Sequence, residues 1–74
     1  MKELEIKTEY VTLGQLLKIA GEVDSGGEVK EYLRLHTPLV NGEPDSRRGR
    51  KLRPGDIVTL QNVGQIKCVA ASSS

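Results

Sequence analysis

The sequence predicts an α+β fold in which two short packed helices lie against a small, mostly antiparallel sheet. Three observations carry this. Two helix-opening signals, Thr12-Leu-Gly-Gln15 and Ser25-Gly-Gly-Glu28, each precede one amphipathic stretch. Beyond Pro38 the pattern changes to short extended runs punctuated by Asn41-Gly42, Pro54-Gly55 and Val63-Gly64. Among 74 residues there is no Phe, no Trp and only two Tyr, so the core must be aliphatic.

The N-terminal segment reads as extended, with Leu4, Ile6, Tyr10 and Val11 as its apolar positions and Lys2, Glu3, Glu5 and Lys7 facing water. Thr12 and Gln15 have the form of a capping box, in which a hydroxyl and a side-chain amide satisfy the orphan donors of a helix start. The first helix then sets Leu13, Leu16, Leu17, Ile19 and Ala20 on one side and Gly14, Gln15 and Lys18 on the other. Gly21 stops it, since glycine accepts the left-handed conformation of a helix end. The second box, Ser25 to Glu28, opens a helix that runs to about His36 and cannot continue past Pro38. At roughly 100° per residue, Val29, Tyr32, Leu33 and His36 share the apolar side, opposite Gly27, Lys30, Glu31 and Arg34.

Leu39-Val40 enters a two-residue hairpin turn at Asn41-Gly42. Pro54-Gly55 fits the centre of a type II turn. Ile57–Leu60 reads as a strand, Val63-Gly64 turns the chain, and Ile66, Cys68 and Ala70 alternate on one face of a last strand. Residues 1–74 form one domain with its central part at about 12–60, and 71–74 read as a frayed tail.

Charge is distributed unevenly. Residues 1–46 hold five Lys/Arg against nine Asp/Glu, a balance of −4, whereas residues 47–74 hold six against one, a balance of +5. The positive end is concentrated in Arg47, Arg48, Arg50, Lys51 and Arg53. Arginine presents a planar, permanently charged fork that matches phosphate oxygens, so this cluster suggests a nucleic-acid contact. The competing reading is a solvated loop, but a chain that is acidic elsewhere did not need a single-sign cluster for solubility.

Other chemistry is poorly supplied. The single Cys68 cannot form an internal disulfide, and one His with one Cys cannot complete a structural zinc site. No apolar stretch approaches the ~20 residues of a membrane span, and no signal-peptide pattern opens the chain. A cytoplasmic location follows as the expectation. His36 has no nucleophile at a readable spacing and is placed as a cation at a helix C-terminus. Cys68 reads as a small buried apolar residue. Asp45 and Asp56 belong to turns. No enzyme, cofactor or metal is expected.

The ordered series SGGEVKEYLRLHTPLVNGE at 25–43 and KLRPGDIV at 51–58 resembles the S-four RNA-binding domain, the module named for a small-subunit ribosomal protein. Ser25, Glu28 and Lys30 fall on its second-helix opening, Val40-Asn41-Gly42 on its turn, and Lys51 with Pro54-Gly55-Asp56 on its strand entry. Leu13, Leu16 and Leu17 match the leucines of its first helix. The N-terminal extension, Ser-Gly-Gly and the arginine run look closest to the small stand-alone YaaA/YbcJ-like members. The resemblance implies the alpha-L RNA-binding motif, a non-enzymatic role, and a structured RNA partner, ribosomal by that analogy, with a part in ribosome assembly. It implies no membrane and no small-molecule substrate, and a monomer is expected. The family often carries Arg or Lys where this chain has Thr12, Gln15 and Gly26, which moves the expected contact surface to the second helix and the arginine loop.

On this reading Gly26 and Gly27, behind Ser25, leave the first-turn N–H groups open to a phosphate, with Lys30 and Arg34 continuing the same face. Lys18 of the first helix joins the set. The bland alternative makes the glycines a tight inter-helix turn and the cations solvated, and Glu31 on that face favours it. In an extended 47–53 segment about three of the five cations could serve one groove, with Arg48 and Arg50 ranked above Arg53. Gly49 would relieve the backbone or allow close approach. With no exposed aromatic residue expected, recognition should rest on phosphate, 2′-OH and RNA shape instead of base stacking. Two other classes compete. A β-grasp sulfur carrier shares the Val-Asn-Gly-Glu and Pro-Gly-Asp turns but needs a C-terminal Gly-Gly, and this sequence closes on Ala-Ala-Ser-Ser-Ser. A helix-turn-helix DNA binder would have to read bases with Lys30, Glu31 and Arg34, and would leave the arginine cluster outside the motif.

Overall fold

A computed structural model describes residues 1–71 of the chain. In chain order the elements are β1 (Lys2–Ile6), β2 (Val11–Thr12), α1 (Leu13–Ile19), α2 (Gly26–Leu35), β3 (Leu39–Val40), β4 (Glu43–Pro44), β5 (Lys51–Leu52), β6 (Ile57–Leu60) and β7 (Gly64–Ala70). Five strands form one sheet in the order β1-β7-β6-β3-β4, and β2 with β5 forms a separate two-stranded ribbon. All pairings are antiparallel except β1 with β7, where Leu4 lies opposite Cys68. The class is α+β.

Local chemistry explains most boundaries. At α1 the capping box is complete: Gln15 N–H donates to Thr12 Oγ1 at 3.2 Å, and Thr12 N–H donates to Gln15 Oε1 at 2.8 Å. The other end closes as a Schellman motif. Gly21, at φ +78°, donates to Lys18 O, and Glu22 donates to Leu17 O, both at 3.0 Å. The β3–β4 hairpin turns on Asn41 (φ 52°) and Gly42 (φ 85°), the two positive φ values that a type I′ turn requires.

The second box differs from the sequence reading. Ser25 is the N-cap of α2, but its hydroxyl makes no capping bond. Glu28 instead reaches one residue further back and accepts from Asp24 N–H at 3.2 Å. No side chain therefore closes the first turn of α2.

The core is aliphatic throughout. Leu13, Leu16, Leu17, Val29, Leu52 and Val58 are fully buried, Leu60 and Cys68 nearly or fully so, and among the described residues no polar or charged residue is buried with them. Ile6, Ile66 and Cys68 extend this core beyond the 12–60 stretch into β1 and β7. Three positions depart from the expected pattern. Ile19, the last residue of α1, is 58% exposed and lines an open pocket with Leu4, Leu16, Ala20, Val63 and Ile66. Gly14, assigned to the polar side, is buried, because the backbone of Arg48 lies against it. Ala70 is exposed, because β6 pairs with β7 only as far as Lys67. Ala71 is tied down by donating to Ile6 O at 3.0 Å, and the rest of the expected frayed tail, Ser72–Ser74, lies outside the described residues.

Candidate nucleic-acid interface

The first turn of α1 is held by the basic segment itself. Leu13 N–H donates to Arg50 O at 2.8 Å and Gly14 N–H donates to Arg48 O at 3.0 Å. Donors that a short helix leaves unpaired are thus satisfied by the carbonyls of the arginine loop. The Val11↔Leu52 and Thr12↔Lys51 pairs continue the same attachment. A Cβ on Gly14 would stand 3.4 Å from both Arg48 O and Val29 Cγ1, so the loop backbone and α2 both pack directly against this position.

The segment is not the extended strand that the sequence suggested. Arg50 N–H donates to Arg47 O at 3.1 Å, forming a turn over Arg47–Arg50. Gly49 lies in that turn without a positive φ, and a Cβ there would meet nothing, so it relieves no backbone constraint. The turn sends the five cations to three different places.

Arg48 reaches the start of α2. A Cβ on Gly26 would lie 3.5 Å from Arg48 Nη2 and 3.9 Å from Lys18 Nζ, so cations from α1 and from the loop converge beside the uncapped helix end. Gly27 and Ser25 are exposed there. Lys30, Leu33 and Arg34 of α2 line a shallow depression of about 290 Å³ with Ser46 and Arg48. Arg34 is paired with Glu31 on the exposed helix face, which lowers the Glu31 pKa through the hydrogen bond and the charge of the guanidinium.

Arg47 and Arg50 fold back on Asp45. One carboxylate accepts from Arg47 N–H (2.9 Å), Nε (3.1 Å) and Nη2 (2.8 Å), and from Arg50 Nη1 (3.2 Å). The hydrogen bonds from Arg47 are the main cause that holds the Asp45 carboxyl well below the usual carboxylate range. The sequence reading placed Asp45 in a turn and missed this clamp. The only signal was an acid two residues before the arginine run, and the pairing depends on the turn that follows.

Lys51 and Arg53 gather at Tyr10, with Lys51 Nζ 5.0 Å and Arg53 Cζ 5.8 Å from the ring centroid. Both also line an open groove of about 690 Å³ together with Arg47, Gly49, Arg50 and Asp56. Asp56 is a turn residue, as expected. Its oxygens accept from Arg53 N–H (2.8 Å) and Asn41 Nδ2 (3.1 Å). Burial pushes its pKa up, and these hydrogen bonds more than offset that, leaving it lowered.

His36 and Tyr32 have structural partners. His36 Nδ1 lies 2.9 Å from Gln61 Oε1, and its ring is tilted against Tyr32 at 5.4 Å. Tyr32 donates to Glu22 Oε1 at 3.2 Å, and burial followed by that bond pushes the phenol up to about 12. Burial also raises the thiol of the fully buried Cys68. Among the described residues no group of three or more His, Cys, Asp or Glu is placed to hold a metal, and no helix is long and apolar enough to cross a membrane.

A family model described as the S4 domain matches residues 4–69. The chain belongs to the S4 domain family. It is 50% identical over 66 residues to the probable ribosome maturation protein RlbA of Bacillus subtilis, covering 89% of this chain and 93% of that protein. It is 49% identical over 43 residues to the small ribosomal subunit protein uS4m of Schizosaccharomyces pombe, covering 57% of this chain and 13% of that much longer one. The S4 match takes in both helices, the arginine loop and most of β1 and β7.

Proposed function

We propose that this chain is a non-enzymatic RNA-binding protein that recognises structured RNA, ribosomal RNA in particular, and acts in ribosome maturation in the cytoplasm. One observation carries the reading. The arginine loop is bonded through its backbone to α1, which gathers Lys18, Arg48 and the uncapped start of α2 at one point. Lys30 and Arg34 adjoin this point, and Lys51 and Arg53 extend it along the basic groove. Such a surface offers cations and backbone donors to phosphates without demanding a base sequence. The acidic strand β1, with Glu3 and Glu5, lies at the opposite edge of the sheet from β4, where the loop departs. Membership of the S4 family, and likeness to a protein named for ribosome maturation, support ribosomal RNA as the target.

The contacts assigned to the RNA are Lys18, Ser25, Gly26, Gly27, Lys30, Arg34, Arg47, Arg48, Arg50, Lys51 and Arg53. Lys18, Lys30, Arg48, Lys51 and Arg53 come first among them, because no carboxylate of the described residues pairs with them. The protein acts as one monomeric domain, with no small-molecule substrate. The test is competition between duplex RNA and duplex DNA of one sequence, together with crosslinking in cells and sequencing of the attached RNA. Preference for RNA and enrichment of ribosomal RNA are expected. Equal or tighter binding to DNA would overturn the reading in favour of a helix-turn-helix mode.

A further inference from the structure

The cations at Tyr10 have a geometry that phosphate binding alone does not require. Val11 and Leu52 are directly opposed in the β2–β5 ribbon, and Leu52 is fully buried. Strand side chains alternate between faces, so Lys51 and Arg53 stand on the face away from Leu52. One register step beyond the Val11↔Leu52 pair sets Tyr10 opposite Arg53, with Lys51 on the diagonal, the two positions from which long side chains reach a ring. The distances of 5.8 and 5.0 Å to the ring centroid fit that placement. The neighbouring loop is fixed as well, since Thr8 Oγ1 donates to Tyr10 O at 2.8 Å.

Tyr10 is 36% exposed, which corrects the expectation that the chain offers no exposed aromatic residue. Neither cation forms an ion pair among the described residues, and the nearby Asp56, which feels the charge of Arg53, gives its carboxylate hydrogen bonds to backbone and amide donors. A partly exposed ring, two cations outside any ion pair and the adjoining groove together make a half-built site for a group with a flat face and a negative charge.

We infer that Tyr10, Lys51 and Arg53 form a platform for one unpaired nucleotide of the bound RNA, the base stacking on Tyr10 and its phosphate held by Lys51 and Arg53. The inference rests on the RNA-binding reading and adds to it a preference for RNA whose helix is interrupted at this point. Base–aromatic stacking is tolerant of sequence because every base has a π-face, so the platform selects an unpaired position without selecting a base. The cations already seated at the ring both orient it and supply the charge that the nucleotide brings its phosphate to meet.

The test uses two labelled RNA hairpins that differ only in one unpaired nucleotide within the stem. Wild-type protein should favour the interrupted hairpin by about ten-fold, within the range of one stacked base. Tyr10→Leu should abolish that preference while retaining native circular dichroism and affinity for the fully paired hairpin, and Tyr10→Phe should keep the preference. The chain has no Trp, so in a Tyr32→Phe background Tyr10 is the sole tyrosine fluorophore. Its emission should be quenched by the interrupted hairpin and not by the paired one. Equal affinity of the wild type for both hairpins, or an intact preference in Tyr10→Leu, would overturn the platform while leaving the RNA-binding reading standing. Failure to bind either hairpin would overturn both.

Discussion

The division of the arginine loop into paired and unpaired cations makes a quantitative prediction. Arg47 and Arg50 share the Asp45 carboxylate, so these three side chains together carry a net charge of only +1. Arg48, Lys51 and Arg53 are in no ion pair among the described residues, which leaves their charges available to phosphates. Each phosphate contact adds about 0.7–0.9 to the slope of log affinity against log salt, so replacing Arg48, Lys51 and Arg53 by Ala should flatten that slope by roughly 2–3 units. Their loss should leave Tm almost unchanged, since exposed unpaired charges contribute little to stability. Replacing Arg47 and Arg50 by Ala should behave in the opposite way. The slope should fall by only about one unit, because the net +1 of the three side chains can serve a single phosphate; the change of two charges, from +1 to −1, should lower affinity at every salt concentration. Tm should drop, because the Asp45 side chain, only 10% exposed, is left without its guanidinium partners. Fluorescence anisotropy with a structured RNA at several salt concentrations, alongside thermal melts of the three proteins, measures both quantities. If the Arg48/Lys51/Arg53 variant binds with the wild-type slope, those cations do not face the RNA and the proposed interface fails.

Gly27→Glu should weaken RNA binding while the fold is retained. The position is exposed, and a Cβ there meets only Ser25 Oγ at 3.9 Å, so anisotropy with a circular dichroism control separates the two effects. Hydrogen bonds from Arg47 lower the Asp45 pKa below its ordinary value of 3.8, so the stability it contributes is fully present above that value. It is lost as pH falls through the lowered folded-state pKa. The Tm gap between wild type and Asp45→Asn should therefore be full at neutral pH and close as acid is added below about pH 4, and a gap independent of pH would refute this assignment. Leu52→Ala, at a fully buried ribbon position, should cost about 2–5 kcal/mol out of the roughly 4–11 kcal/mol typical of a chain this size. Chemical denaturation measures it, and RNA affinity should fall with it because Leu52 anchors the segment between Lys51 and Arg53. Purified protein should turn over neither RNA nor nucleotides, and His36→Ala should change no activity, since the imidazole is engaged with Gln61. Modification of RNA that this substitution abolishes would refute the non-enzymatic reading.

The sequence by itself determined whatever depends on near neighbours. The Thr12–Gln15 box, the Gly21 stop, the Asn41-Gly42 hairpin and the Pro54-Gly55 turn were legible because each is decided by a few adjacent dihedrals and one or two local hydrogen bonds. The apolar side of α2 was legible because helical periodicity is a property of the chain alone. The concentration of positive charge in 47–53 was legible too, as was its chemical fitness for phosphate. Tertiary structure decided where those charges point. Whether Arg50 is free or held depends on a turn at Arg47–Arg50, and that turn depends on α1 lending its unpaired N–H groups to carbonyls more than thirty positions away along the chain. Gly14 looks like a solvent-side glycine until the Arg48 backbone is laid upon it. Tyr10 looks like part of an apolar strand until the pairing of Val11 with Leu52 turns it outward beside Lys51 and Arg53. Local patterns encode what a segment is, but which cations have partners and which aromatic ring is open are set by contacts between distant segments, and only the folded chain makes those contacts.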